Sequence, residues 1–312
     1  MLHRRSTKNR LRLLIALLAV LFFGQWQSVL ADEKFRCTHC HLIRNKGFEI
    51  NGKFYCTEHA DEALPKCHNC REPIRGSYVA VGHQHRPICL SCRHNLPRCF
   101  LCTLPAGYDS GGAELYDGRT TCREHSHNGV TEQKEAQRIF RQATAEVKAS
   151  FPGKLELKNP IKDVKLVGRD AMSSISHRNG HSSGSSEGRV LGVTTVTFVS
   201  RGHKQWLEPA TIHLLDHVPA RRMLAVAAHE YAHVWHAENH RDYTQSRPII
   251  REGFAEWVAY KVTQDQGRKD ILEKIKNPAG GVYYRGLLKF LELEKRRGVQ
   301  GVLEFAKQAN DF

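Results

Sequence analysis

Cysteine is absent from most of this 312-residue chain: residues 1–36 and 123–312 contain none, and all ten cysteines lie between Cys37 and Cys122. Any thiol-based framework therefore belongs to that stretch alone, which is a structural problem separate from the rest. Long apolar runs are missing too. Beyond residue 31 nothing approaches the roughly 20 apolar residues that a membrane-spanning helix requires, and no internal repeat appears outside the cysteine region. Acidic residues are scarce, 32 against 47 lysines and arginines, which leaves a formal charge of +15. Such an excess bears first on solubility and then on contact with anionic surfaces or acidic partners. Nucleic acid is excluded as a partner: Arg71, Arg75, Arg86, Arg93, His94 and Arg98 are basic, but aromatic residues do not alternate with them as a stacking surface would need.

What the N-terminus does have is an export pattern. Arg4, Arg5, Lys8, Arg10 and Arg12 precede an apolar core, Leu13 to Phe23, and Val29-Leu30-Ala31 offers small residues for cleavage before Asp32. Residues 1–31 are therefore predicted to be a signal peptide, with an uncleaved N-terminal anchor as the alternative and the one route to a membrane. With no cysteine at the cleavage point, a lipoprotein is not expected. Export implies a periplasmic or extracellular location. The mature chain would keep 281 residues and a charge of +10, because the segment carries five Arg and Lys and no acid. That length can bury one large core or two smaller ones.

In residues 32–128 the cysteines fall into pairs at x-x spacing once two histidines are admitted: Cys37/Cys40, Cys56/His59, Cys67/Cys70, Cys89/Cys92, Cys99/Cys102 and Cys122/His125. Twelve ligands make three tetrahedral sites, and successive pairs are separated by 15, 18 and 19 residues, the range of zinc ribbons and treble clefs. Five disulfides are the competing reading for an exported chain. Against it, a bridge across two residues closes a strained small loop, whereas two thiolates at that spacing chelate readily. Ten thiolates and three zinc ions would bring the mature charge from +10 to about +6. Sites closed by four ligands leave no position for substrate, so binding of a protein partner, or scaffolding, is the expected role.

The stretch from Arg221 to Tyr260 carries the chemistry. His229-Glu230-Tyr231-Ala232-His233 matches His-Glu-x-x-His, and Glu252 follows after eighteen residues. At about 100° of rotation per residue, positions four apart share a helix face, so His229 and His233 can hold one zinc ion. Glu230 lies one step round, where it can act as general base on water. Asp216 as cap, Pro219 in the first turn and the apolar Met223, Leu224, Ala227 and Ala228 predict a helix. Ser246 and Pro248 open a second one, which, antiparallel to the first, brings Glu252 to the metal as third ligand. A distant Glu on a second helix is the two-helix pattern of gluzincin peptidases. The metzincin pattern fails, because it needs Gly at 236 and His at 239 where this chain has His236 and Asn239. Glu256 shares a face with Glu252 and is expected to orient a ligand histidine. His236 is either a supporting or alternative ligand or, the blander reading, a helix-surface histidine. Tyr260, Tyr283, Tyr284 and His236 are the candidates for stabilising an oxyanion, each also readable as plain packing.

Around these motifs, residues 129–152 form a connecting helix whose stripe is Ala136, Ile139, Phe140, Ala143, Val147 and Phe151. Strands are expected at Leu155–Leu157, Val164–Val167, Arg189–Ser200 and Ala210–Leu215, and a Ser/Gly/His-rich loop at Ser173–Gly188 in which His177 and His181 are solvated. Helices follow at Ile271–Ile275, Tyr283–Lys295 and Val299–Lys307. The fold class is α+β: N-terminal treble-clef or LIM-like zinc ribbons, then a gluzincin-like domain at 153–312 with a small sheet and a helical half.

The order of parts resembles the DA-one-like LIM-domain zinc metallopeptidase family, over about residues 37–265, in an exported, bacterial-type member. The likeness rests on LIM-like fingers, Cys99-Phe100-Leu101-Cys102 running through Tyr116-Asp117-Gly118-Arg119 to Cys122, a long helix, Ala228-His229-Glu230-x-x-His233-x-Trp235, and Glu252-Gly253. It implies a zinc metallopeptidase acting on protein or peptide substrates, with His229, His233 and Glu252 as ligands, Glu230 as base, and fingers that engage protein partners. It implies one catalytic zinc and about three structural ones. The chain departs from the plant members in carrying an export signal instead of ubiquitin-interacting helices. Its fingers are also spaced by seven and six residues (His59 to Cys67, Cys92 to Cys99) where a LIM tandem has about two. The alternative function is a non-catalytic zinc-finger adaptor with a vestigial peptidase domain.

Overall fold

The structure is a computed structural model that describes residues 28–81, 84–106, 111–178, 190–201, 204–267 and 281–312. The export signal up to residue 27, the histidine at 181 and the helix expected at 271–275 lie outside them. The chain divides into two compact units, Met1–Gly111 and Gly112–Phe312.

In the first unit three of the four Cys-x-x-Cys pairs, Cys37/Cys40, Cys67/Cys70 and Cys99/Cys102, are wrapped by the same turn. Cys37 N–H donates to the Leu42 carbonyl and His41 N–H to the Cys37 carbonyl, both at 2.9 Å. Cys67 with Glu72 and Arg71 repeats this at 2.9 Å, and Cys99 with Leu104 and Thr103 at 2.9 and 3.0 Å. In all three the residue after the second cysteine is left-handed: His41 (φ 59°), Arg71 (φ 67°) and Thr103 (φ 63°). Non-glycine residues adopt that conformation rarely, and the strain is held here by two hydrogen bonds per turn.

Strands β1 (Ser28–Arg36), β2 (Ile43–Ile50) and β3 (Lys53–Cys56) form an antiparallel sheet in that order. Asn51 and Gly52, at φ 52° and 73°, close β2 onto β3 in the two-residue turn that suits strand twist. Helix α1 (Ala60–Ala63) follows, and Ile50, Ala60 and Leu64 make a small core with it. The second finger repeats the plan with the hairpin of β4 (Tyr78–Val81) and β5 (Arg86–Cys89) followed by α2 (Leu90–Asn95).

The second unit opens with the hairpin β6 (Ala113–Glu114) and β7 (Thr120–Thr121). Helix α3 (Gln133–Ser150) buries the predicted stripe of Ala136, Ile139, Phe140, Ala143 and Val147. Leu155–Leu157 is not a strand; Leu155 is buried and its carbonyl accepts from the Tyr231 hydroxyl at 2.7 Å. After β8 (Asp163–Val167), the polar segment expected to be loop begins as a helix, α4 (Arg169–Arg178), with Met172, Ile175 and Ser176 buried and His177 exposed. A helix face of three small or apolar residues was hidden by the serines around it.

The predicted strand at 189–200 is two strands, β9 (Gly192–Thr195) and β10 (Phe198–Arg201). Their alternation is continuous, but the partners differ: β10 turns back on β11 (Lys204–Leu207), while β9 pairs with β12 (Thr211–Leu215). The sheet runs β8-β12-β9, with β12 parallel to β8 and antiparallel to β9, so β9 is an edge.

Three helices complete the unit: α5 (Ala220–Asn239), α6 (Pro248–Asp265) and α7 (Gly281–Ala306), the last broken at Gly298 (φ 66°, ψ 179°) between the two helices expected there. Two start signals differ from expectation. Asp216 does not cap α5; its carboxylate is taken by Tyr116 Oη at 2.8 Å and by the buried Arg119, which also pairs with Asp117 at 2.8 Å. Arg247, not Ser246, is the residue before α6, with Pro248 in its first turn as predicted, and Ser246 is buried. Helices α6 and α7 touch backbone to backbone: a Cβ on Gly253 would lie 2.7 Å from Gly286 Cα.

Candidate metal centre and its cleft

Helix α5 supplies His229 and His233 from one face, and α6 supplies Glu252. His229 Nε2 and His233 Nε2 are 3.1 Å apart, and each is 3.3 Å from Glu252 Oε2. All three side chains are buried. Three donors about 2.0–2.1 Å from one ion at tetrahedral angles lie about 3.3–3.4 Å from one another, so the triangle fits a zinc-sized ion. Hydrogen bonds fit it poorly: each ring nitrogen has one in-plane direction, and the three directions cannot all be satisfied by neighbours at 60°. The ligand atoms meet because the helices are antiparallel, His229 facing Glu256 and Glu252, and His233 facing Glu252 one turn on.

The electrostatics agree with a site built for positive charge. Burial alone would raise the Glu252 carboxyl, but the His233 and His229 rings beside it hold it well below its ordinary value. Burial alone would lower His229, and the hydrogen bonds to Glu252 and Glu256 hold it well above. Glu256 Oε2 lies 2.9 Å from His229 Nδ1. With Nδ1–H donating there, the Nε2 lone pair is left for a metal.

Glu230, on α5 next to His229, is buried and anchored from the edge strand. Thr194 on β9 donates its hydroxyl to Glu230 Oε2 at 2.8 Å and lies 3.0 Å from the Glu230 carbonyl. Gly192 on the same strand makes room: a Cβ there would sit 2.6 Å from Glu230 Oε1 and 2.7 Å from Val226. Neither residue follows from the motif. The signal was a glycine two residues before a threonine pair on a strand next to the motif helix.

A cavity of about 250 Å³ adjoins the cluster, lined by Thr194, Val196, Phe198, His233, Tyr243, Thr244, Arg251 and Glu252. Tyr243 and Arg251 are further residues that sequence reasoning missed. Tyr243 sits in the short connection between the two ligand helices, where desolvation raises its phenol above the ordinary value despite the opposing Arg251 charge. Of the named oxyanion candidates, Tyr283 is beside the cluster, its ring centroid 5.9 Å from that of His229. Its side chain is partly open to solvent, and desolvation on the side facing the cluster, with the nearby charges of Glu252, Glu230 and Glu256, raises its phenol. Tyr260 is buried on α6 and Tyr284 partly buried on α7, and none of the three, Tyr283 included, lines this cavity.

His236 differs from its helix-surface expectation. It is fully buried, its Nε2 donates to the Ala306 carbonyl at 2.7 Å, and burial holds the ring well below its ordinary pKa. It ties α5 to the end of α7, whose terminus covers the face on which His236 lies.

The finger sets also fit metal. Cys37, Cys40, Cys56 and His59 converge within 4.8 Å, as do Cys67, Cys70, Cys89 and Cys92. Cys70 and Cys89 Sγ are 3.9 Å apart, close to the roughly 3.8 Å edge of a tetrahedral Zn–S site and far from the roughly 2.05 Å of a disulfide. All ten cysteines are free. Burial opposes ionisation of Cys67, but N–H groups of Cys89, Cys70 and Asn69 outweigh it and bring the thiol to about 7. The third set straddles the two units in sequence: Cys99 and Cys102 lie near the end of the first, Cys122 and His125 in the second, where Cys122 Sγ is 3.3 Å from His125 Nδ1. Compared with known proteins, the chain matches no family model, no curated protein and no solved structure.

Proposed function

We propose that this chain is a zinc-dependent hydrolase of peptide bonds, gluzincin in type, whose cysteine–histidine fingers bind protein partners or hold the substrate. The observation that carries the reading is the triangle of His229 Nε2, His233 Nε2 and Glu252 Oε2, with sides of 3.1 to 3.3 Å, opening on a cavity. Closed Cys/His sets, by contrast, have all four positions filled by protein and suit scaffolding.

A zinc ion held by that triangle would supply a Lewis acid that acidifies water and polarises a carbonyl. Glu230 takes the proton of the attacking water as its oxygen bonds to the carbonyl carbon, and delivers that proton to the amide nitrogen as the C–N bond breaks. Water and one peptide bond thus become a carboxylate and an amine. Thr194 keeps the Glu230 carboxylate in one orientation, and Glu256 keeps the His229 ring in one tautomer. Tyr243 or Tyr283, each held protonated, donates to the oxygen on which negative charge develops. The outer edge of β9 offers backbone groups to an extended chain. The basic and apolar N-terminal pattern supports export to the periplasm or cell exterior.

Metal analysis combined with Glu230→Gln tests this. Four zinc ions per chain are expected, one lost first to a chelator, and Glu230→Gln keeps all four while losing about 10²- to 10⁴-fold in turnover of casein or a peptide library. Three zinc ions, or a Glu230→Gln protein as active as the unmodified chain, would refute it.

A further inference from the structure

The cavity beside the ligand triangle has a cationic wall. Arg251, which directly precedes the ligand Glu252 on α6, is half-buried, lines that cavity, and lies over the ring of Tyr243 with Cζ 5.5 Å from its centroid. Among the described residues no carboxylate forms an ion pair with it, although Glu252 lines the same cavity. A half-buried guanidinium with an aromatic face beneath it and no acidic partner is a costly arrangement unless something else brings the negative charge. Of the other lining residues, Glu252 carries a carboxylate that lies against the His229 and His233 rings, and Thr194, Val196, Phe198 and Thr244 are uncharged.

We propose that Arg251 is a specificity residue that binds a carboxylate of the substrate, so that the enzyme prefers peptides bearing a negative charge close to the bond cleaved. The inference rests on the peptidase reading above and deepens it. Size sets the range. A cavity of 250 Å³ is about 8 Å across if roughly spherical, and an extended chain advances about 3.3–3.6 Å per residue. The carboxylate therefore belongs to a residue within about two positions of the scissile bond. An Asp or Glu side chain and a free chain terminus share this chemistry. Guanidinium and carboxylate meet as a two-pronged pair, the strong form of charged hydrogen bonding.

The test uses quenched peptides identical except for Glu or Gln at each position flanking the cleaved bond, with a free or amidated C-terminus, and cleavage sites located by mass spectrometry. The zinc-loaded chain is expected to favour the charged member of one pair by about 10- to 100-fold in kcat/KM. Arg251→Gln brings that ratio to near one, and Arg251→Lys leaves an intermediate ratio. The Glu/Gln pairs report a side-chain carboxylate and the acid/amide pairs a terminal one. Calorimetric binding of the same peptides to zinc-loaded Glu230→Gln, with and without Arg251→Gln, gives the same ratios without turnover, and zinc content with a thermal melt confirms that each variant folds. A ratio near one in the unmodified chain, or a ratio that survives Arg251→Gln, overturns the proposal. If no peptide is cleaved at all the peptidase reading fails, and the binding ratios still decide whether Arg251 recognises a carboxylate.

Discussion

Replacing Thr194 by valine removes one hydroxyl and almost no volume from the edge strand, which makes it a clean probe of how Glu230 is held. Both residues are buried, and the hydroxyl has a single proton to share between Glu230 Oε2 at 2.8 Å and the Glu230 carbonyl at 3.0 Å. The carbonyl belongs to a helix and keeps its intrahelical partner, so the loss falls on the carboxylate. A hydrogen bond to a charged group contributes about 1.5–3 kcal/mol. If that energy fixes the orientation from which Glu230 exchanges protons, Thr194→Val should lower kcat/KM by about 10- to 150-fold at RT of about 0.6 kcal/mol. Thr194→Ser, which restores the hydroxyl, should recover most of it. Zinc content should stay at the unmodified level in both, since no ligand atom is touched. The assay is steady-state cleavage of a peptide substrate with metal measured on the same preparation. A Thr194→Val protein of full zinc content and unchanged kcat/KM would show that the strand does not position the base.

Gly192→Ala acts on the same carboxylate by crowding it, since the new methyl would lie 2.6 Å from Oε1; a larger loss of turnover than in Thr194→Val is expected, with about 1–3 kcal/mol of destabilisation in denaturant melts. Glu256→Gln weakens the hold on His229 Nδ1 at 2.9 Å, and competition with a chelator should show zinc affinity at the labile site down about 10- to 100-fold. The Asp117 carboxyl gives a pH test: burial would raise it, but Arg119 and the Arg169 N–H hold it at about 2 against an ordinary 3.8. The folded value is the lower one, so the stabilisation, about 2 kcal/mol, is present above about pH 4 and is lost as pH falls towards 2. In acid titrations followed by circular dichroism, the difference in stability between the unmodified chain and Asp117→Asn should shrink over that window. A constant difference would count against the assignment.

Much of the site was legible because its signals are local. The spacing of His229 and His233 is a property of one helix, and the stripe of α3 and the break at Gly298 are visible in chain order. The finger pairs are equally local, although the left-handed residues His41, Arg71 and Thr103 carry no glycine to announce them. What was missed depends on partners distant in sequence. A strand at 189–200 looks continuous until β10 finds β11 instead of β12. Asp216 looks like a helix cap until Arg119, nearly a hundred residues earlier, claims it. His236 sits on a polar-looking helix end that the terminus of α7 covers.

By itself the sequence determined which residue types could meet a metal, and on which helix faces, because helix geometry fixes side-chain direction from spacing alone. Only the tertiary structure decided that Glu252 reaches both imidazoles, that β9 grips Glu230, and that Arg251 and Tyr243 line the cavity beside them. Those relations arise from packing one element against another, and no periodicity within a single element encodes the distance to its neighbour.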